Sequence, residues 1–267
     1  MKKVLVMSLL ALVVMTMSSC LRVKLGENGW SLINVAGHKN DTPTQVHQVN
    51  EVTQMQPFDE IDVAGPFNVI LEQGDGNSVR VDGTVDQLGN MTIYVKDGDL
   101  VIDMKEDMVD AGKFFKGLRV FVTTPTVKDI DIAGSGTVTA PNALTTADLS
   151  LEVAGSGDIT LAQLTCQDLG IEIAGSGSVT IGIIQANEVK TEIAGSGDID
   201  IAGLTCKTLH NEIAGSGDMT FNNLNVDYVH TEIAGSGDVI LRGIAGSSKT
   251  DIAGSGKVDV SGLKIKE

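Results

Sequence analysis

A glycine motif repeated at nearly constant spacing constrains this chain more than any other feature. The tetrapeptide AGSG occurs seven times, and its first glycines lie 19 to 21 residues apart. Between copies, apolar residues alternate with polar ones, as at Ile193, Ile199 and Ile201, and a period of two is typical of strands. A fixed period near twenty built from strands predicts an all-β parallel β-helix with about 20 residues per turn. A leucine-rich repeat is excluded because its Leu/Asn consensus is missing.

Equivalent apolar residues recur in successive units and predict the core. Stacking turns at the interstrand spacing of roughly 4.8 Å would bury such residues as continuous columns. Two columns are expected, formed by Leu164, Ile184, Leu204 and Leu224 and by Leu149, Leu169, Val189, Leu209 and Val229.

The motif glycines have a structural explanation. If alternation continues through AGSG, both glycines point into a tight corner, where only a hydrogen fits or where a positive φ is needed. Seven copies exclude a dinucleotide fingerprint, which occurs once between a strand and a helix. A period of twenty also excludes the nonapeptide calcium roll. The predicted corner glycines are Gly134, Gly136, Gly155, Gly157, Gly175, Gly177, Gly195, Gly197, Gly215, Gly217, Gly235, Gly237, Gly254 and Gly256.

The N-terminus has the order of a secretory signal. Residues 1–19 begin with two lysines, continue with an apolar run too short to span a bilayer and end in small residues. The "SSC" at residues 18–20 resembles a bacterial lipobox, which implies lipidation of Cys20 and a membrane anchor; an ordinary cleaved signal is the alternative. We expect a secreted protein anchored in the bacterial envelope, at the outer membrane. No acidic run follows Cys20, so the surface and the periplasmic side both stay open.

Three segments follow the signal. Residues 20–56 lack a sustained period and predict a polar tether. Residues 57–125 read as strands joined by tight turns, with Asp97-Gly98 at a hairpin, and would cap the open end of the solenoid. Residues 126–267 contain the repeats.

Two quoted stretches carry a family resemblance. "FDEIDVAGPFNVILEQGDGNSVRVDG" and "LRVFVTTPTVKDIDIAGSG", followed by repeated AGSGD, resemble the GIN domain, described as an auto-transporter adhesin head. The similarity covers about residues 57–262. It implies a right-handed parallel β-helix in bacterial envelope proteins, often lipoproteins, and implies no established activity.

Outward positions predict an acidic interaction face. The formal net charge of −16 argues against nucleic acid as a partner, because phosphate binding needs a basic footprint. Lys190, His210, His230 and Lys249 lie beside the acids, so charge balance and solubility explain much of the pattern. One column contains Asp131, Glu152, Glu172, Glu192, Glu212, Glu232 and Asp251, and the other contains Asp158, Ser178, Asp198, Asp218, Asp238 and Lys257.

Metal binding is the sharper interpretation of this face. The side chains with transition-metal chemistry are His210, Glu212, His230 and Glu232, although i, i+2 pairs on a flat face splay apart. Columns of carboxylates could also share Ca²⁺, but a flat array rarely supplies the six or more oxygens that Ca²⁺ prefers. We therefore expect no resident cofactor.

An enzyme is disfavoured. Parallel β-helices also host polysaccharide lyases and hydrolases, and this is the alternative function. Such sites need convergent groups in a groove, whereas the acids here are in line and Arg242 is the only arginine of the repeats. The sequence predicts a non-enzymatic, lipid-anchored envelope protein that presents a rigid acidic rod to an unidentified protein or glycan. The oligomeric state is left open.

Overall fold

The computed structural model describes residues 21–26, 29–34, 47–52, 55–105 and 108–266. The predicted signal peptide and Cys20 lie outside them. Within the described ranges, no helix is both long and apolar enough to cross a membrane. The N-terminal strands are β1 (Leu21–Gly26), β2 (Gly29–Asn34), β3 (His47–Val52), β4 (Glu60–Ala64), β5 (Asn68–Gln73), β6 (Ser78–Thr84), β7 (Met91–Lys96), β8 (Asp99–Met104) and β9 (Arg119–Thr124).

The repeats form a parallel β-solenoid of about 7 turns with roughly 20 residues per turn, which confirms the predicted fold class. Three of the strands are 17 or 18 residues long, and each of these runs through two sides of a turn. The strands are β10 (Asp129–Gly134), β11 (Thr137–Thr145), β12 (Asp148–Gly155), β13 (Asp158–Thr165), β14 (Asp168–Gly175), β15 (Ser178–Gln185), β16 (Glu188–Gly195), β17 (Asp198–Gly215), β18 (Asp218–Gly235), β19 (Asp238–Gly254) and β20 (Lys257–Ile265).

The core is a stack of the predicted apolar columns. Leu149, Leu169 and Val189 are in direct register on successive turns, and so are Leu164 and Ile184. All of these side chains are buried. Because each turn repeats the same inward positions at the interstrand spacing, one narrow, mainly aliphatic core runs through the stacked turns. It ends before the last turn, where Ile252 and Val260 are exposed.

One inward column changes character along the stack. Leu151 and Ile171 in the early turns are followed in register by Thr191, Asn211 and Thr231, and all five are buried. The Thr191 hydroxyl donates to Asn211 Oδ1 at 2.9 Å, and Asn211 Nδ2 donates to Thr231 Oγ1 at 3.2 Å. This buried polar ladder is stable because its members satisfy one another.

The AGSG corners allow the turns to approach closely. Gly215 has a φ of +148°, and a Cβ there would lie 2.1 Å from the carbonyl oxygen of Gly195. At Gly217, a Cβ would lie 2.2 Å from the Gly197 carbonyl oxygen and 2.8 Å from Ile193 Cγ2. The first glycine of the corner therefore supplies a left-handed conformation and close approach, and the second supplies close approach alone.

The N-terminal section continues the solenoid and then covers its end. β4 pairs in parallel with β10, and β5 pairs in parallel with β11, so the incomplete motif "DVAG" before Pro66 already forms a turn. Antiparallel strands then close the section, with β6 on β9 and β7 on β8. The predicted hairpin turn is confirmed, since Asp97 and Gly98 both have positive φ between β7 and β8.

The helices and the first strands complete this cap. Among the residues that the structure describes, the helices are α1 (Val85–Asn90), which begins with a capping box from Thr84 to Gln87, and α2 (Ala111–Phe114). Gln87 Nε2 donates to the Phe114 carbonyl at 2.7 Å and thereby joins them. Residues 20–56, predicted as a polar tether, contain three strands. β1 pairs with β2, and β3 pairs antiparallel with β6. Pairing with β3 covers an edge that β6 would otherwise expose.

Candidate functional site

Three outward columns on one side of the solenoid form what we call the charged face. Each arises because parallel pairing keeps equivalent residues in register from turn to turn. The glutamate column is the first predicted column, extended by one turn to Asp62, which is in register with Asp131. The central column contains Glu60, Asp129, Ser150, Gly170, Lys190, His210, His230 and Lys249, and the flanking column contains Asp148, Asp168, Glu188, Thr208, Tyr228 and Ser247.

The early turns of this face form an acidic trough. Its walls are Glu152 and Glu172 of the glutamate column and Asp148 and Asp168 of the flanking column. The walls are four strand residues apart, or about 13 Å. The floor between them is Ser150 and Gly170, and a Cβ added at Gly170 would meet nothing within 4 Å. The trough is therefore open, lined by carboxylates and free of bulky side chains.

Carboxyl groups crowd together where the trough meets the N-terminal section. Burial raises the pKa of Asp131 to about 7, assisted by the charge of Asp129 and a hydrogen bond shared with it. Burial also raises the pKa values of Asp62 and Asp129, and a hydrogen bond with Asp99 raises that of Glu60. Within the described residues, Asp129 Oδ1 and Asp131 Oδ1 are buried and have no hydrogen-bond partner. This end of the face is electrostatically strained at neutral pH.

The late turns balance their acids with basic neighbours. Lys190 Nζ lies 3.3 Å from Glu192 Oε2, and Lys249 Nζ lies 2.6 Å from Asp251 Oδ2. His230 Nε2 lies between two carboxylates, 3.3 Å from Glu232 Oε1 and 3.0 Å from Asp251 Oδ2.

Only part of the predicted metal set comes together. Ligand atoms of His230, Glu232 and Asp251 all lie within 4.8 Å of one another. His210 instead packs its ring against Tyr228 and His230, with centroid distances of 6.1 and 5.8 Å. His210 and Glu212 do not belong to the three-residue cluster, and Asp251 takes their place.

The second predicted column, at the corner after AGSG, has a structural role. Asp198, Asp218 and Asp238 each accept a hydrogen bond through Oδ1 from the backbone N–H one turn later, at 3.3, 2.8 and 3.0 Å. Asp158 Oδ1 accepts from the Ser178 hydroxyl at 2.6 Å. These carboxylates help to hold successive turns together, whereas those of the trough walls project into solvent.

A family match accounts for this architecture. Residues 57–225 and 212–267 match the family described as "Putative auto-transporter adhesin, head GIN domain". The chain belongs to this family. The match thus covers the solenoid and the part of the cap that begins at residue 57. No match was found among curated proteins.

Solved structures of similar shape support the fold of this GIN domain. A putative adhesin from Bacteroides fragilis is 24% identical with a TM-score of 0.73, and the alignment covers 81% of this chain and 97% of that one. A putative lipid binding protein from Parabacteroides distasonis is 21% identical with a TM-score of 0.70, covering 82% and 97%. A putative adhesin from the same species is 23% identical with a TM-score of 0.62, covering 80% and 96%. The family and the fold support an adhesion-like role at the cell envelope.

Sequence reasoning missed one wall of the trough in this GIN-domain protein. Asp148, Asp168 and Glu188 are acidic, but Thr208, Tyr228 and Ser247 continue the same column without charge. A search for columns that stay acidic throughout therefore passes over it. Comparison of each register over the first three repeats alone would have found it.

Proposed function

We propose that this GIN-domain protein is a non-enzymatic envelope protein, anchored through a lipid on Cys20, that uses the acidic trough to bind a basic segment of a partner protein. The observation that carries the proposal is the pair of carboxylate walls, Glu152 and Glu172 facing Asp148 and Asp168. Carboxylates that project into solvent from a rigid scaffold require little reorganisation on binding, which favours recognition of a cationic partner.

The chemistry of the trough favours a protein over a glycan. Sugar-binding surfaces commonly combine hydrogen-bonding groups with aromatic rings. The floor of the trough is Ser150 and Gly170, and the aromatic residue of the flanking column, Tyr228, lies in the later turns. An extended chain with lysine or arginine side chains would place its charges against both walls.

The turns also argue against the alternative of a carbohydrate-active enzyme. Strand registers from β12 to β18 repeat with steps of 20 residues and no insertion, so no loop rises to form one side of a catalytic groove. Paired carboxylates for hydrolysis must converge on one bond. The trough acids instead stand in parallel rows about 13 Å apart.

A binding experiment on the full chain tests the trough. The probe is a ten-residue lysine peptide, with a ten-residue glutamate peptide as the negative control, measured at low and at physiological salt. The trough variant carries Glu152→Gln, Asp168→Asn and Glu172→Gln. The matched corner variant carries Asp198→Asn, Asp218→Asn and Asp238→Asn, in which each amide oxygen can still accept the backbone N–H.

Both variants lose three charges, so their net charges are equal. We expect the trough variant to bind the lysine peptide about tenfold more weakly, since three lost ion pairs near a surface amount to roughly 1.4 kcal/mol. The corner variant should change by less than about threefold. Equal losses in both variants would show that net charge alone attracts the peptide and would contradict the proposed site.

The anchor and the location are tested on cells. Protease treatment of intact cells, followed by detection of the GIN domain, should remove it while a periplasmic control protein survives. Cys20→Ser should release the protein from the membrane fraction. Survival of the domain in intact cells would contradict an adhesin at the cell surface and direct the search to periplasmic partners.

A further inference from the structure

The late turns of the charged face hold a compact cluster that the trough does not involve. His230 and Glu232 are outward neighbours on β18, and Lys249 and Asp251 are their register partners on β19. The four side chains therefore occupy the corners of one small rectangle on the sheet. His230 and Asp251 lie across its diagonal.

The distances in this cluster match those of a bound metal ion. Ligand atoms at about 2.1 Å around a tetrahedral zinc ion are separated from one another by about 3.4 Å. His230 Nε2 lies 3.3 Å from Glu232 Oε1 and 3.0 Å from Asp251 Oδ2, and all three ligand atoms lie within 4.8 Å of one another. Small side-chain shifts would suffice for all three atoms to contact one ion.

The histidine is held in place before any ion arrives. The side chain of His230 is 16% exposed, whereas Glu232 and Asp251 are 55% and 53% exposed. Its ring packs against those of His210 and Tyr228, with centroid distances of 5.8 and 6.4 Å. A ligand fixed by packing loses little entropy on binding, and the two carboxylates leave one side of the cluster open to solvent.

The cluster already attracts a cation of the chain itself. Lys249 Nζ lies 2.6 Å from Asp251 Oδ2 and 3.3 Å from His230 Nε2. The ammonium group thus contacts two of the three ligand atoms. An ion that used these atoms would have to displace it.

We propose that His230, Glu232 and Asp251 bind one divalent transition-metal ion of the Zn²⁺ type, with Lys249 as an intramolecular competitor for the same position. One imidazole and two carboxylates suit Zn²⁺ better than Ca²⁺, which prefers six or more oxygens. Water or a group from a partner would complete the coordination on the solvent side. The inference is independent of the acidic trough.

The length of one acidic side chain explains why the cluster forms at this pair of strands and not at the pair before it. His210 is the equivalent of His230 one turn earlier, and its diagonal neighbour on the following strand is Glu232. In the described part of the chain, no carboxylate oxygen lies within 4 Å of a ring nitrogen of His210. Asp251 has a shorter side chain than Glu232, and it reaches the imidazole that lies diagonally across from it on the preceding strand, at 3.0 Å.

Zn²⁺ titration of the full chain tests the proposal, with free Zn²⁺ set by a chromophoric chelator and binding followed by calorimetry. We expect one ion per chain. Lys249→Met should tighten binding by about tenfold, because an ion pair with the site no longer has to be broken. His230→Gln and Asp251→Asn should each weaken it by at least about tenfold, since even outer-shell changes cost that much at zinc sites. Glu232→Gln should act in the same direction.

The matched control is His210→Gln, which removes the neighbouring imidazole of the same column and should change affinity by less than about threefold. Circular dichroism of each variant checks that the solenoid is folded. No binding by either the wild type or Lys249→Met at about 0.1 mM Zn²⁺ would overturn the proposal. Equal losses in His210→Gln and His230→Gln would also overturn it, because the ion would then not be bound by this cluster. Ca²⁺ binding in preference to Zn²⁺ would contradict the metal class.

Discussion

The early and late turns of the charged face share one backbone and differ in almost everything they present. In the early turns, Ser150 and Gly170 separate two acidic walls. In the late turns, the same central column holds His230 and Lys249 beside the acids. The inward neighbour changes in step, from Ile171 to the polar Asn211. The comparison shows that the corners and the aliphatic stripes determine the fold, while the remaining columns are free to specify what each half binds.

The largest effect should come from the corner glycines, and it should be the same in both halves. We expect Gly155→Ala and Gly235→Ala to destabilise the protein by about 3 kcal/mol or more, because a Cβ would clash with the preceding carbonyl and φ is positive. Those Cβ atoms would lie 2.5 and 2.0 Å from the carbonyl oxygens of Gly134 and Gly215. Denaturant unfolding measures the loss.

Gly170→Ala is the control for these variants, since nothing lies within 4 Å of its Cβ. A corner substitution that is harmless in one half would show that the two halves do not share the same frame. Such a result would remove the basis of the comparison.

The buried polar ladder should give the next largest effect, and only in the late turns. Asn211→Ala leaves the Thr191 and Thr231 hydroxyls without their partner and opens a cavity, so we expect a loss of about 2 to 3 kcal/mol. Replacing all three residues together, as Thr191→Val, Asn211→Leu and Thr231→Val, should be far less costly because no buried polar group is left unpaired. Unfolding free energies of the two variants test this order, and a triple variant less stable than Asn211→Ala would contradict it.

The solenoid fold was predictable from the sequence because it depends on local rules that repeat in every turn. Corner glycines and alternating apolar residues fix the register, and the register places every column. Contacts within the charged face were harder to predict, because side-chain length decides which neighbours meet. Asp251 on β19 contacts His230 on the adjacent strand β18. Glu212 is in the same column on β17, one strand before the cluster. β3 was missed because "HQVNEV" has little apolar alternation, and its strand depends on the edge that β6 offers.

A smaller effect distinguishes the halves by pH. The folded-state pKa of Asp131 is about 7 against an ordinary value of 3.8, so between these values the folded protein binds more protons than the unfolded chain. Its stability should therefore rise as the pH falls from 8 to 5, by about 1 kcal/mol once screening at this partly exposed site is allowed for. Asp131→Asn should flatten this dependence in denaturant unfolding at several pH values.

Asp251 in the late turns has the opposite sign and provides the control. Hydrogen bonds from Lys249 and His230 hold its pKa below the ordinary value, so its contribution is present above that value and is lost only on stronger acidification. Asp251→Asn should leave the slope between pH 8 and 5 unchanged. If Asp251→Asn altered the slope and Asp131→Asn did not, the titrating group would lie in the late turns, which would contradict the prediction.

The smallest effect should come from Lys190, which lies where the two halves meet. Its side chain is 61% exposed and pairs with Glu192, so Lys190→Met should change stability by less than about 0.5 kcal/mol. It should nevertheless lengthen the acidic trough by one turn, and binding of the lysine peptide should tighten about twofold to threefold, the effect of removing one like charge near the surface. Lys249→Met removes the same charge from the late turns and should leave this binding nearly unchanged. If both variants tightened binding equally, binding would depend only on the net charge of the protein, and the distinction between the early and late turns would be wrong.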